Sequence, residues 1–234
     1  MSVLEIKDIR KTYKRRDRKI NVLDGINLTV EKGTFNVIEG ESGSGKSTFL
    51  GVLAGLIDTN EGSVVYRKSN EVKSSDEIEI NSLNSNERAR LRRHDIVYMP
   101  QLQEVIPELT VSDNIRLVDV FDEEKQENTD QRLSYIIERL GLSDLKDEYP
   151  DDISGGELRR LVVARTIYSR PKVVLADEPT NDLDKQNREV IATVFRELTE
   201  SGITVIAVTH DEDLAGKADN RYLLKNGKLY NESL

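Results

Sequence analysis

The 234-residue chain contains no cysteine, which excludes disulfides, thiolate metal sites and thiol catalysis and suits a reducing compartment. Histidine occurs only at His94 and His210, so a histidine-rich metal site is also excluded. Long hydrophobic runs are missing. The longest, such as Val205-Ile206-Ala207-Val208, fall far short of the roughly 20 residues a membrane span needs. Any role at a membrane therefore requires a second protein. Positive charge is in deficit: the net charge is −9, no Lys/Arg run is long enough to offset it, and no nucleic-acid partner is expected. Met1-Ser2-Val3-Leu4-Glu5 lacks the charged-then-apolar pattern of a signal peptide, so no leader is expected. Internal repeats and low-complexity tracts are absent as well.

What is present is enough for one large domain over residues 1–234, with 37% hydrophobic and 33% charged residues. Its organising stretch is Gly40-Glu41-Ser42-Gly43-Ser44-Gly45-Lys46-Ser47-Thr48, which fits the phosphate-binding pattern G-x-x-x-x-G-K-[ST]. Phe35 to Glu39 reads as a short buried strand before it. Thr48 to Leu56, with Leu50, Leu53, Ala54 and then Ile57 at helical spacing, reads as a helix after it. Glycines let successive N–H groups turn inward toward phosphate oxygens, and the helix adds its positive end. Lys46 would reach the β- and γ-phosphates, Ser47 would complete a Mg²⁺ shell, and Thr48 would meet the α-phosphate. The plain alternative is a chance glycine-rich turn, which the flanking strand and helix argue against.

Val3 to Ile9 and Val22 to Val30 alternate as half-exposed strands, with Ile26, Leu28 and Val30 on one face. Between them, Tyr13 reads as a strand-end packing residue and the basic Lys14 to Lys19 as a solvated loop. Gly62 to Arg67 reads as a strand, residues 69–82 as a surface excursion, and Asn84 with Glu87 as a helix-start box. Ile96 to Met99 is a short strand leading through Pro100 to Gln101. From residue 102 to 152 helical patterns replace strands: about Ser112 to Val120, then about Asp130 to Leu140, stopped by Gly141. The acidic Asp122 to Asp130 lies between them. Ser154-Gly155-Gly156-Glu157 opens a further helix that ends near Pro171, and by itself is no more than a capping box. Val173 to Ala176 and Ile203 to Val208 are apolar throughout, as parallel strands covered on both faces should be. A helix from about Asp184 to Glu200 separates them, and Asn226-Gly227 marks a closing hairpin. No room is expected after it for a regulatory domain.

Polar residues gather at the carboxyl ends of these strands: Gln101, Asp177, Glu178 and His210. That edge of an open parallel sheet is where ligands bind, and the glycine-rich loop lies there too. Asp177 would hold Mg²⁺ through water, and Glu178 can polarise a water in line with the γ-phosphate. Alone, Asp177-Glu178 is an ordinary strand-end turn and His210 an ordinary structural histidine.

Taken together and in order, these motifs resemble the nucleotide-binding subunit of ABC transporters, and the resemblance covers essentially the whole chain. Gly40 to Thr48 matches Walker A, Val173 to Glu178 Walker B with its catalytic glutamate, and Gln101 the Q-loop glutamine. Ser154 to Glu157 matches the signature motif, with Glu157 in place of the usual Gln. Asn181-Asp182-Leu183-Asp184 matches the D-loop, His210 the switch histidine and Tyr13 the aromatic that stacks on adenine. Lys46 and Ser154 lie 108 residues apart, which suits a transporter helical subdomain. The resemblance implies an α/β fold: a P-loop NTPase core with a mostly parallel sheet (about 1–100 and 153–234), an N-terminal antiparallel β region, and an inserted α-helical subdomain (about 101–152). It implies an ATPase using ATP and Mg²⁺. Catalysis would rest on Lys46, Gln101, Glu178 and His210. ATP would be held by Tyr13, Gly40, Ser42, Gly43, Ser44, Gly45, Lys46, Ser47 and Thr48, with Ser154, Gly155, Gly156 and Asp184, and the metal by Ser47, Gln101 and Asp177. It also implies two partners, a second copy in a head-to-tail ATP-sandwich dimer and a multi-span membrane permease. The chain would then sit in the cytoplasm, peripheral on the inner face of the cell membrane through that permease.

Val22 to Ile26, Asn81 to Leu83 with Arg92-Arg93, and Thr180 to Asp184 are similar to one subgroup, the ATPases of lipoprotein-releasing, macrolide-export and antimicrobial-peptide transporters. Rival readings are an ABC-type ATPase acting on DNA, a scaffold ATPase for cofactor assembly and a P-loop kinase. The first would need long coiled coils, and the 108-residue interval has no sustained heptads. The second is separated by whether a membrane protein co-purifies. The third would need neither the signature helix nor the D-loop.

Overall fold

The computed structural model describes residues 1–15, 18–68, 76–102, 104–121 and 129–232. Strands β1 (Ser2–Arg15) and β2 (Arg18–Glu31) pair antiparallel, and their apolar residues fall on one face as the alternation requires: Leu4, Ile6 and Ile9 against Leu23, Ile26, Leu28 and Val30. The ladder runs further than the hydrophobic pattern. Tyr13 pairs with Ile20, Lys14 with Lys19 and Arg15 with Arg18. The basic segment expected as a loop is therefore strand-paired at both ends. Backbone pairing does not depend on side-chain sign, and the described side chains of Lys14, Arg18 and Lys19 stay exposed.

Strand β3 (Phe35–Glu39) leads into helix α1 (Lys46–Leu53), which starts two residues before the expected Thr48. Strand β4 (Glu61–Arg67) pairs with β1, and β5 (Glu77–Glu79) pairs with β4, giving the antiparallel order β2-β1-β4-β5. The described part of the expected surface excursion, residues 76–82, is thus an edge strand followed by a 3-10 turn that buries Ile80 completely. Residues 69–75 lie outside the described residues. Helix α2 (Ser85–His94) carries the anticipated capping box, with Asn84 Oδ1 accepting from the N–H groups of Asn86 and Glu87.

Strand β6 (Ile96–Met99) is followed by α3 (Val111–Arg116), α4 (Thr129–Arg139) and α5 (Gly155–Tyr168). The helix expected to reach Val120 leaves α geometry at Arg116 and continues as a 3-10 turn over Leu117–Phe121. Most of the acidic stretch, residues 122–128, lies outside the described residues. The remaining elements are β7 (Val173–Asp177), α6 (Lys185–Glu200), β8 (Thr204–Val208), α7 (Glu212–Ala215), β9 (Asn220–Lys225) and β10 (Lys228–Asn231). The last two form the expected hairpin, with Asn226 and Gly227 both at positive φ.

The second sheet has the order β10-β9-β3-β8-β7-β6 and is parallel throughout except for β10. Its apolar runs are buried on both faces. Phe35, Val37, Val174, Ala176, Val205 and Ala207 pack with α5 and α6. Ile38, Val173, Leu175, Ile206 and Val208 pack with α1 and the antiparallel sheet. Such two-sided burial is why these strands read as continuous hydrophobic runs. No helix among the described residues is long and apolar enough to cross a membrane. The architecture is therefore mixed α/β, one antiparallel and one mostly parallel sheet, with the carboxyl ends of β3, β6, β7 and β8 on one edge.

Candidate functional site

The loop between β3 and α1 is shaped by its glycines. Gly45 occupies the N-cap position of α1 at φ 105°, and a Cβ there would lie 2.8 Å from Val22 Cγ1 and 3.0 Å from the Val22 carbonyl oxygen. Only glycine fits both the dihedral and the space. No side chain caps this helix and no acidic residue stands in its first turn, so the orphan N–H groups remain free for an anion. Ser44 Oγ is buried without a hydrogen-bond partner beside them. Lys46 Nζ folds back over the loop, donating to the carbonyls of Gly40 at 2.8 Å and Glu41 at 3.3 Å.

An open cavity of about 590 Å³ lies against this loop. Its walls are Val22, Gly40 to Gly43, Gly45 to Thr48, Gln101, Glu178 and His210. The tertiary structure thus gathers at one place residues that are up to 188 positions apart in the chain, Val22 and His210. Glu178 stands at the centre of the polar contacts. Its Oε1 is 3.6 Å from Lys46 Nζ and its Oε2 is 3.0 Å from His210 Nδ1. Lys46 and Glu178 are both buried, their side chains 9% and 10% exposed, while His210 is largely open at 67%. Glu178 is held at φ 47°, a left-handed value that costs a non-glycine residue about 1–3 kcal/mol and must be imposed by its surroundings.

Asp177 lies behind this wall. Its Oδ2 accepts from the Tyr98 hydroxyl at 3.0 Å, and its Oδ1 is buried with no hydrogen-bond partner. Burial, reinforced by the Asp177 charge, pushes the Tyr98 phenol well above its ordinary value, so it donates across the relevant pH range. A buried carboxylate oxygen without a donor fits a hydrated cation adjacent to the cavity.

The other anticipated residues form a second cluster. Ser154 caps α5: its Oγ donates to Glu157 Oε2 at 2.7 Å, and Glu157 Oε2 also accepts from the Ser154 N–H at 2.8 Å. The Ser154 hydroxyl first, and its N–H second, hold the Glu157 carboxyl below its ordinary value. Asp184 caps α6 by accepting from the N–H of Asn187 at 2.8 Å, the main cause of its own lowered pKa, and from Asn187 Nδ2 at 2.9 Å. Asn187 Oδ1 accepts from Arg160, and a Cβ on Gly156 would come within 2.9 Å of Asn187 Nδ2. Gly156 and Asp184 therefore meet at Asn187, with Ser154 and Gly155 at the same helix start, and none of the four lines the cavity. Tyr13 does not line it either. It is 40% exposed, with Lys11 Nζ 5.1 Å above its ring, while Val22 forms the adjoining wall.

Sequence reasoning missed three contributors. Val22 is one apolar residue among several on an amphipathic strand. Tyr98 sits in a four-residue strand with no polar pattern. Arg159 is 1% exposed, although an arginine near a helix start ordinarily reads as a surface residue. None of the three carries a signal along the chain, because each is selected by what faces it across the fold.

The ABC transporter family profile matches residues 23–181. The lipoprotein-releasing system ATP-binding protein LolD of Alcanivorax borkumensis is 35% identical over 97% of this chain and 96% of its own length. The putative hemin import ATP-binding protein HrtA of Staphylococcus epidermidis is 35% identical over 97% of this chain and 99% of its own. The macrolide export ATP-binding/permease protein MacB of Shigella flexneri is 34% identical over 97% of this chain, which spans 34% of that longer protein. Among solved structures, a dimeric ATP-binding cassette in a post-hydrolysis state bound to ADP and Pi superposes with a TM-score of 0.88, at 32% identity over 99% of this chain and 98% of that one.

Proposed function

This chain belongs to the ABC transporter family as an ATP-hydrolysing subunit, and from that premise we propose that it drives a separate membrane permease as one half of a head-to-tail dimer. The observation that carries the reading is the division of the anticipated residues into two clusters. Lys46, Gln101, Glu178 and His210 share one cavity, while Ser154, Gly155 and Gly156 stand outside it. Residues that recognise the same phosphate from two separate places need a second copy to bring them together. Ser154, Gly155 and Gly156 of one protomer would then face nucleotide held by Lys46 of its partner, with Asp184 at the same interface.

In this reading the loop N–H groups from Gly40 to Thr48 and the Lys46 ammonium bind the phosphates, and Tyr13 stacks on the adenine. Glu178 orients and polarises the attacking water, and His210 holds Glu178 and meets the γ-phosphate. Mg²⁺ fits the donors available: Ser47 and Gln101 on the cavity wall, and Asp177 through water at its unpartnered oxygen. When bound, it neutralises phosphate charge. The domain comprises a core of about 1–100 and 153–234 with a helical subdomain of about 101–152 that contacts the permease. The protein works at the cytoplasmic face of the membrane and takes no nucleic acid. The resemblance to the lipoprotein-releasing and macrolide-export subgroup supports export or extraction of a lipoprotein, peptide or antibiotic-like cargo; a relative named for hemin import marks the alternative direction.

The test uses tagged heterodimers of Lys46→Ala and Ser154→Arg isolated with the permease. One composite site then carries both lesions and the other carries neither, so hydrolysis should rise well above either parent. Heterodimers that bind ATP yet show no more activity than the parents would refute a shared site.

A further inference from the structure

Arg159 lies in the second turn of α5 and is among the most deeply buried large side chains in the protein, at 1% exposure. No carboxylate among the described residues forms an ion pair with it. All five of its N–H groups donate to backbone carbonyls instead. Nε donates to Pro179 at 2.9 Å, and Nη1 to Pro100 at 3.1 Å and Gln101 at 3.0 Å. Nη2 donates to Asp177 at 3.1 Å and also to Glu178. These five oxygens belong to only two turns: the one that follows β6 and presents Gln101, and the one that follows β7 and presents Glu178. The second contains the positive φ of Glu178, which nothing in that residue's own chemistry favours. Glu178 is further tied by its N–H to the Val208 carbonyl at 2.9 Å, by its carbonyl, which accepts from the Asn181 N–H at 3.2 Å, and by its side-chain contacts.

We propose that Arg159 is a positioning residue for hydrolysis, locking the Gln101 and Glu178 turns to helix α5 as one rigid unit. The planar guanidinium is suited to this because its fork presents five donors in fixed directions. Lysine has three donors on one nitrogen, and glutamine has two. A buried cation is also a costly way merely to fill a core, since an apolar side chain of similar size packs there more favourably. Its use here follows from the carbonyls it must satisfy. The consequence is directional. Ser154 caps α5 five residues before Arg159, so a tilt of that helix when a partner's nucleotide docks at Ser154 would move the Glu178 and Gln101 turns of the same protomer. Arg159 would thereby report occupancy of one composite site to the other.

The proposal rests on the assignment of Glu178 to hydrolysis, and the experiment separates the two. Arg159→Lys, Arg159→Met and Glu178→Gln are made in the full chain. ATP affinity is measured with a fluorescent nucleotide, kcat and KM by phosphate release, and secondary structure by circular dichroism. Both Arg159 variants should lose at least 30-fold in kcat while ATP affinity falls by no more than about threefold, because Arg159 donates to no residue of the phosphate loop. Backbone hydrogen exchange at residues 177–181 should rise, with α1 unchanged. Where Arg159→Met does not fold, the Arg159→Lys result decides. A kcat near the parent value, or an ATP affinity that falls as far as kcat does, overturns the proposal. An active Glu178→Gln overturns the underlying assignment. An inactive Glu178→Gln beside fully active Arg159 variants overturns only the positioning role.

Discussion

Replacing Glu178 by Gln should destabilise the nucleotide-free protein and at the same time tighten its hold on ATP. At an effective dielectric constant of about 20, the Lys46 ammonium and the Glu178 carboxylate, 3.6 Å apart, attract by about 5 kcal/mol before desolvation is subtracted. Breaking a fully buried pair by removing one partner costs about 3–5 kcal/mol. Two features lower that figure here. Lys46 keeps the carbonyls of Gly40 and Glu41, and the cavity beside it is open to water. A loss of about 2 kcal/mol is the expectation, or about 4–8 °C in Tm for a chain of this size. ATP reverses the balance. A bound phosphate takes Lys46 from Glu178 and meets the carboxylate's repulsion, whereas glutamine offers neither competition nor repulsion. The same ~2 kcal/mol should therefore reappear as ATP binding tighter by roughly 30-fold, since 1.4 kcal/mol is a factor of ten. Removal of the base should slow hydrolysis by about 10²–10⁴. Thermal melts with and without ATP, run on Glu178→Gln, Lys46→Met and the double variant, isolate the coupling term. An unchanged nucleotide-free Tm together with an unchanged ATP affinity would refute the argument that these charges restrain one another.

Tyr13→Ala should weaken ATP binding by about 1–3 kcal/mol if the exposed ring closes over adenine; an unchanged titration would leave Val22 as the cavity's contribution from the described residues of β1 and β2. Glu157 supplies a pH-dependent contribution. Its carboxyl is held below its ordinary value of 4.5 by Ser154, so its contribution to the start of α5 is complete above about pH 4.5 and is lost as pH falls through the lower folded value. The stability advantage of the parent over Glu157→Gln should accordingly shrink between pH 5 and pH 3 in thermal melts, and a constant difference would remove the carboxylate from the cap.

The local elements of this protein follow from the chain alone, because their causes are local. The phosphate loop needs glycine where Gly45 takes φ 105°, the α2 and α5 starts need a capping residue three positions before Glu87 and Glu157, and the last hairpin needs Asn226-Gly227. The parallel strands announce themselves because both faces are covered, which leaves Val173 to Ala176 and Val205 to Val208 apolar throughout. Where causes are not local, the chain is silent. The β1–β2 ladder continues through Lys14 and Lys19 because backbone pairing propagates once the register is set, and the charges only decorate it. Glu77–Glu79 becomes a strand because β4 offers an open edge, and Ile80 is buried because it meets Gly55 across the fold. The same holds at the site. Gln101, Glu178 and His210 are legible as strand-end polar residues, but only the order β3-β8-β7-β6 sets their strand ends beside Lys46. The separation of Ser154 from that cavity, the strain at Glu178 and the five carbonyls around Arg159 were likewise decided by tertiary structure, since each depends on groups brought together from segments tens of residues apart.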